Sequence, residues 1–453
     1  MHLCTGPVAH KHCGRLDGVF DANGIVTGRR FQPMANSFKP HNYANYILTM
    51  GGYGSDKSML YRWTGTFWQA LDDDEARRDA YHWLVRTDAD FASDENARKA
   101  VRAAMLFLEP IPELTSEVVV PCRNGYVRII DNEFRVTPPD PTLGLQYVLD
   151  CEYQSSPQPT PRFTQFLARI LPDQHVRDRV QEYVGYTLIP DARFQRAQLW
   201  FGEGANGKGV LANIVQRLHG RVAAISLDAL DGFRLSVLVG ASLAYADEVP
   251  RVRINEQILK SLIAGERVQI DRKHKEPLST HVRAKWLVLG NHLPAVTDHS
   301  TGFWRRWDVV PFSVTIPERE RDSLLTETII HDELSGVLSW ALDGLKRLLA
   351  RGRFDPVMPG QMASLLSEVK SETNSVLAWL GDCGIELGTA CITPKDQVFS
   401  HYKLWCERNA LSVVGSVQFW KRLRDSLHGL DDARSRRNGA VIRVCNVSPT
   451  ALM

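Results

Sequence analysis

One stretch, Gly202-Glu203-Gly204-Ala205-Asn206-Gly207-Lys208-Gly209, constrains this chain more than any other because of what flanks it. Before it, Ala197-Gln-Leu-Trp-Phe201 reads as a buried strand; after it, Val210-Leu-Ala-Asn-Ile-Val-Gln-Arg-Leu218 reads as a helix. A glycine-rich turn in that setting curls its backbone N–H groups around phosphate. The helix N-terminus adds partial positive charge, and Lys208 supplies a cation for the β/γ oxygens. The pattern G-x-x-x-x-G-K alone arises by chance in about one such chain in ten. Other motifs therefore have to decide. Position 209 is glycine where serine or threonine would supply a magnesium-ligating hydroxyl, so water is expected to fill that site.

Three further segments fit the same α/β frame. Ala241-Ser-Leu-Ala-Tyr-Ala246 is an apolar strand ending in Asp247-Glu248, at the carboxyl edge where a parallel sheet places its ligand chemistry. Asp247 is assigned to Mg²⁺, directly or through water, and Glu248 to orienting or deprotonating the attacking water. Ala284-Lys-Trp-Leu-Val-Leu-Gly290 is another buried strand, ending in Asn291, an amide suited to sensing a γ-phosphate. Phe303-Trp304-Arg305-Arg306-Trp307 precedes the strand Asp308 to Phe312; an arginine delivered to a neighbour's ATP stabilises transition-state charge. Taken singly, each has a plainer alternative: a solvated acidic pair, a loop asparagine, arginines stacked on tryptophans.

Composition bounds the rest. The chain has 453 residues, enough for two to four domains, with 44% hydrophobic and 23% charged residues, so a packed core is feasible. The formal net charge of +2 means any basic surface must be local. Eight cysteines without a C-x-x-C pair read as reduced thiols, and His2, Cys4, His10, His12 and Cys13 match no standard zinc spacing. The N-terminus lacks the plan of a signal peptide, and the most apolar run, Leu235 to Ala246, is too short to span a bilayer. A cytoplasmic location without membrane contact is the expectation.

The chain divides in sequence into an irregular arm (1–45), an accessory domain (46–160), an ATPase domain (161–360) and a basic C-terminal module (374–453). Arg162 to Ile170 and Gln174 to Leu188 read as amphipathic helices leading into the loop, and Asp332 to Arg351 as a third. Arg267 to Asp271, Arg272-Lys273-His274-Lys275 and Glu276 to Val282 read as strand, basic tip and return strand. Cationic tips grip phosphates without reading bases. The C-terminal module has a helix at Ser416 to Leu427 carrying Lys421, Arg422 and Arg424, then a basic turn with Arg434, Arg436 and Arg437, then a strand. Helix, basic turn and strand suggest a winged-helix-like unit meeting duplex DNA.

The order G-x-G-A-N-G-K, A-D-E, L-I-A-G-E-x-V, K-H-K-E-P, L-G-N-H-L-P and F-W-R-R-W resembles the poxvirus-type superfamily III helicases, specifically the helicase half of phage and plasmid primase-helicases. The match runs from about Tyr46 to Pro359. It implies a P-loop AAA+-like α/β core with a helical N-terminal accessory domain and a C-terminal winged-helix-like domain, assembled as a homohexameric ring with ATP between subunits. By residue it assigns Gly202 to Gly209 to ATP, Lys208 to phosphate, Asp247 and Glu248 to Mg²⁺ and water, Asn291 to the sensor, and Arg305 or Arg306 to the finger. It places a DNA-tracking hairpin at Lys273, His274 and Lys275. The function implied is an ATP-dependent DNA helicase for phage or plasmid replication, with single- and double-stranded DNA as partners and room for a separate primase. The alternative is an origin-binding initiator that uses ATP only to assemble. The D-x-D candidates, Asp88-Ala-Asp90 and Asp72-Asp73-Asp74, follow no convincing buried strand, so primer synthesis from this chain is not expected.

Overall fold

Two units divide the chain, residues 1–62 with 71–111, and residues 63–70 with 112–453. The computed structural model describes residues 16–20, 26–31, 37–56, 58–156, 158–250, 254–272, 275–291, 301–390, 392–409, 411, 413–437 and 440–448. The early elements are β1 (Leu16–Phe20), β2 (Val26–Phe31), α1 (His41–Met50), β3 (Tyr53–Ser55), β4 (Leu60–Trp63), β5 (Trp68–Leu71), α2 (Asp73–Thr87) and α3 (Asp94–Phe107).

In the first unit, β1 and β2 pair antiparallel and α1 starts at His41, so residues 1–45 are not wholly the irregular arm expected. The strands were hidden by glycines at 18 and 28, which break the alternation of side chains. Ala97, Ala100 and Ala104 form the buried stripe of α3, small enough for α1 to pack closely with Tyr43, Ala44 and Ile47. Asp72 caps α2: its carboxylate accepts from Glu75 N–H at 2.7 Å, and Glu75 accepts from Asp72 N–H at 3.1 Å. This reciprocal cap, with Asp73 and Asp74 in the first turn, is a structural use for the acidic triplet.

Beyond residues 63–70, the second unit continues with the antiparallel meander β6 (Val119–Cys122), β7 (Gly125–Ile130) and β8 (Glu133–Thr137). The expected boundary near 160 therefore cuts through this unit. Leu149 N–H donates to Pro121 and Asp150 N–H to Leu218, tying the meander to the end of the helix that follows the phosphate loop. Then come α4 (Pro161–Ile170), α5 (Gln174–Thr187), β9 (Ala197–Phe201), α6 (Lys208–Leu218), β10 (Val222–Ala224), β11 (Leu243–Ala246), α7 (Glu256–Ala264), β12 (Arg267–Arg272), β13 (Lys275–His281), β14 (Lys285–Gly290), α8 (Thr301–Trp304) and β15 (Trp307–Pro311).

Five of these strands form one parallel sheet in the order β10-β11-β14-β9-β15. The order is not the sequence order, so the strand after the phosphate loop starts a crossover to the far edge, and β14 returns between the acidic strand and β9. Trp200, Leu243, Leu287, Leu289 and Val310 join one large core with α4, α5 and α6. α9 (Leu325–Asp332) and α10 (Leu334–Arg351) add to it. α5 and α10 approach closely at two glycines. A Cβ on Gly185 would stand 2.3 Å from Ala341 O, and one on Gly344 2.5 Å from Gln181 O. Glu333, at the start of α10, caps α4 by accepting from the N–H groups of Arg162 (3.1 Å) and Phe163 (2.9 Å).

After α11 (Gly360–Thr373) the chain forms α12 (Ser375–Asp382), β16 (Thr393–Pro394), α13 (Lys395–Arg408), α14 (Ser416–Ser426), β17 (Asp432–Arg437) and β18 (Ala440–Cys445). The three strands are antiparallel in the order β16-β18-β17, over a core of Trp379, Tyr402, Phe419 and Leu423. Arg434, Arg436 and Arg437 lie on β17 rather than in a turn, since the segment pairs residue for residue with β18.

Candidate active site

The glycine-rich loop expected to bind phosphate leaves β9 at Gly202 and enters α6 at Lys208, as its flanks require. Gly207 stands at the helix N-cap with φ of 80°, a left-handed conformation that costs a residue with a Cβ about 1 kcal/mol or more. A Cβ there would also strike Ile170 and Phe166 of α4, so α4 backs the loop from below. Asn206 shapes the turn. Its Nδ2 donates to Glu203 O (2.5 Å) and Phe312 O (3.1 Å), and its Oδ1 accepts from Lys208 N–H (3.2 Å).

Lys208 is buried, and its ammonium donates to Gly202 O, to Gly290 O at 3.3 Å and to Asn291 Oδ1 at 2.6 Å. Burial pulls its pKa below the ordinary lysine value, and the charge of Asp247 opposes that shift. Two residues 83 positions apart thus meet because β14 runs beside β9, with Gly290 opposite Phe201. Asp247 and Glu248 follow β11 directly, are exposed, and open at the same carboxyl edge. Tyr245 holds Asp247 through a hydrogen bond from its hydroxyl to Oδ1 at 2.6 Å. Burial, then the bond and charge of Asp247, push the Tyr245 phenol well above its usual pKa, so it remains a donor. Nothing in the motif pattern singled out Tyr245, because its role depends on the sharp turn after β11.

The loop fits a polyphosphate. Only glycine fits at 202, where a Cβ would stand 2.3 Å from Phe312 O, whereas Gly204 and Gly209 have nothing within 4 Å of an added Cβ. The metal set is sparse: among the described residues no group of three or more His, Cys, Asp or Glu side chains converges. One carboxylate suits Mg²⁺, which keeps several waters and takes phosphate oxygens as ligands.

The two arginines separate. Arg306 is half-buried, its guanidinium donating to Gly302 O, and its Nε is buried with no partner among the described residues. Arg305 is exposed. Both precede β15 at the amino edge of the sheet, where Trp307 lies opposite Ala197. From that level to Gly202 is five strand residues, about 17 Å. An arginine there does not reach the phosphate loop of its own chain.

The expected DNA contacts are mixed. β12 and β13 form the hairpin, paired from Arg267 opposite His281 to Arg272 opposite Lys275, and β12 packs on the 3-10 helix Gly232–Leu238. Lys273, His274 and the Lys275 side chain lie outside the described residues. Lys421, Arg424 and Arg436 are exposed, Arg424 sitting 3.5 Å from Asp432, while the Arg437 side chain is also outside the described residues. Arg422 departs from the expectation. It is buried, with Nη1 3.4 Å from Asn374 Oδ1, because α14 turns that side toward the start of α12.

Residues 52–172 match the family described as D5 N terminal like, and residues 200–306 match a family of unknown function, DUF5906. A putative helicase of Acanthamoeba polyphaga mimivirus is 24% identical over 244 residues, covering 51% of this chain and 24% of the relative. The D5-type match and the viral helicase are similarities to the superfamily III-type primase-helicases that the sequence motifs resemble. The chain spans about a quarter of the length of that viral relative. The apo C-terminal region of NrS-1 shares its fold, at 12% identity and a TM-score of 0.50, covering 91% of this chain and 100% of that one. Among the described residues no helix is long and apolar enough to cross a membrane.

Proposed function

We propose that this chain is an ATP-driven DNA helicase motor for replication of a phage or plasmid, working as a homohexameric ring with ATP and Mg²⁺ between subunits. The observation that carries the reading is the contact of Lys208 with Asn291, beside Asp247 and Glu248, at one edge of a parallel sheet. That edge gathers a phosphate cation, a γ-phosphate sensor, a metal carboxylate and a carboxylate for water. Bound Mg²⁺·ATP would supply the reactive phosphoryl group and neutralise its charge. The chain's own part is to cradle phosphates with Lys208 and the loop, to hold Asp247 through Tyr245, and to exclude wrong geometries through Asn291. Arg305, exposed at the opposite edge, is supplied to the next subunit, which is why a ring is part of the proposal.

DNA is gripped by the β12–β13 tip (Lys273, His274, Lys275), in a ring pore where only phosphates need be met. We read α12, β16, α13, α14, β17 and β18 as a winged-helix module, supported by their order and by the sheet order β16-β18-β17. Lys421, Arg424 and Arg436 are its duplex-facing cations.

Strand displacement on forked DNA with ATP tests the motor, alongside ATP turnover with and without single-stranded DNA and a mass measurement of the oligomer. The motor reading expects unwinding, strong DNA stimulation and a multimer. ATP turnover unmoved by DNA, with no unwinding, would transfer the chain to the ATP-switched initiator reading. Changing Lys273, His274 and Lys275 together to Ala is expected to spare nucleotide binding and remove DNA stimulation.

A further inference from the structure

The turn that carries Arg305 is pinned at two consecutive carbonyls. Arg305 O accepts from Arg196 Nη1 at 2.5 Å, and Arg306 O accepts from Ala197 N–H at 2.8 Å. The same Arg196 Nη1 lies 3.6 Å from Asp308 Oδ1, and the guanidinium rests over the Phe354 ring at 5.4 Å. Asp308 has no exposed surface and is gripped at both oxygens by Arg179 of α5, Nε to Oδ2 at 2.7 Å and Nη2 to Oδ1 at 2.9 Å. Arg179 in turn donates to Asp355 O at 2.9 Å and stacks on Phe354 at 4.6 Å. A buried carboxylate in a fork of this kind is stiff, because displacement leaves charge unpaired in a low dielectric.

We infer that Arg196 is a positioning residue for phosphoryl transfer in the neighbouring subunit. It joins the backbone of Arg305 to the buried Asp308–Arg179 pair and so fixes the direction in which the Arg305 side chain leaves the turn. Arg196 immediately precedes β9, whose other end opens into the phosphate loop. One five-residue strand therefore ties the loop that holds this chain's ATP to the arginine it offers the next copy. The inference rests on the reading that Arg305 acts in trans.

The test uses four full-length variants, Arg196→Ala, Arg196→Lys, Arg305→Ala and Lys208→Ala, each checked for oligomeric mass and melting temperature. A misplaced arginine of this kind costs about 10–100-fold in turnover. Arg196→Ala is expected to lower kcat by that factor while the KM for ATP stays within about twofold, and Arg196→Lys to recover part of the loss, because an ammonium still donates to Arg305 O. Mixed assemblies then separate the two ideas. Arg305→Ala with Lys208→Ala is expected to regain turnover, since some interfaces combine an intact loop with an intact arginine. Arg196→Ala with Lys208→Ala is expected to regain it likewise, whereas Arg196→Ala with Arg305→Ala is not. Failure of the first mixture removes the trans reading itself. Success of the first with recovery in the third, or with an unchanged kcat in Arg196→Ala, overturns the role of Arg196 alone.

Discussion

Replacing Gly209 by serine asks whether the missing hydroxyl matters, and the structure sets the size of the answer. Gly209 is the second residue of α6, and an added Cβ there meets nothing within 4 Å. Serine therefore enters without displacing a neighbour. Moving from glycine to serine inside a helix is worth about 0.5 kcal/mol in propensity. For a unit of this size that is about 1–2 °C in melting temperature. If residue 209 faces the metal, the new hydroxyl adds one polar ligand worth about 0.5–1.5 kcal/mol, which lowers the Mg²⁺ concentration for half-maximal turnover about 2–10-fold. Gly202→Ala is the matched contrast: its Cβ would stand 2.3 Å from Phe312 O and 2.6 Å from Asn206 Nδ2, at a φ of 157°. Strain of that kind costs about 1–3 kcal/mol and distorts the loop. Thermal melts and turnover titrated against Mg²⁺ check both variants. Destabilisation of Gly209→Ser by more than about 1 kcal/mol would refute the open-space argument. A stabilised variant with an unmoved Mg²⁺ midpoint would show that position 209 does not face the metal.

If Asn291 is the proposed sensor, Asn291→Ala is expected to reduce turnover about 100–1,000-fold while a fluorescent ATP analogue still binds; equal loss of binding would mean that it merely anchors Lys208. Asp308→Asn leaves Arg179 buried without its counter-charge and is expected to cost about 3–5 kcal/mol in denaturant unfolding, and a loss below about 1 kcal/mol would refute the pair's importance. Lys285 is buried at the start of β14, its ammonium donating to Ile189 O and lying 5.2 Å from the Tyr186 ring, and burial pulls its pKa down to about 7 from 10.5. Between those values the unfolded chain binds more protons than the folded one, so this group makes stability rise with pH across that window. Lys285→Met is expected to flatten that rise in melts from pH 7 to 10, and an unchanged slope would refute the assignment.

How much was legible in the sequence follows from how local each feature is. The placement of the glycine-rich loop, the acidic pair after β11 and the asparagine after β14 at one sheet edge was readable because each is written within a few residues of a buried strand, and strand ends in a parallel sheet share an edge. The helices at 161–170 and 174–187 were readable from their apolar spacing, and the hairpin at 267–281 from its alternation around a basic tip. Features set by distant partners were not. Arg422 looks like any basic residue on a helix; only the turn of α14 over α12 buries it, while Lys421 and Arg424 stay outside. Residues 112–160 read as part of an accessory domain, but the backbone hydrogen bond from Asp150 N–H to Leu218 O, next to the Leu149–Pro121 bond within the segment, attaches them to α6. The Arg179–Asp308 pair spans 129 positions and leaves no mark on either segment alone. Nor does the choice between Arg305 and Arg306, adjacent in sequence, come from residue type. What separates them is which guanidinium the turn folds back onto Gly302, and that leaves the Arg305 side chain exposed.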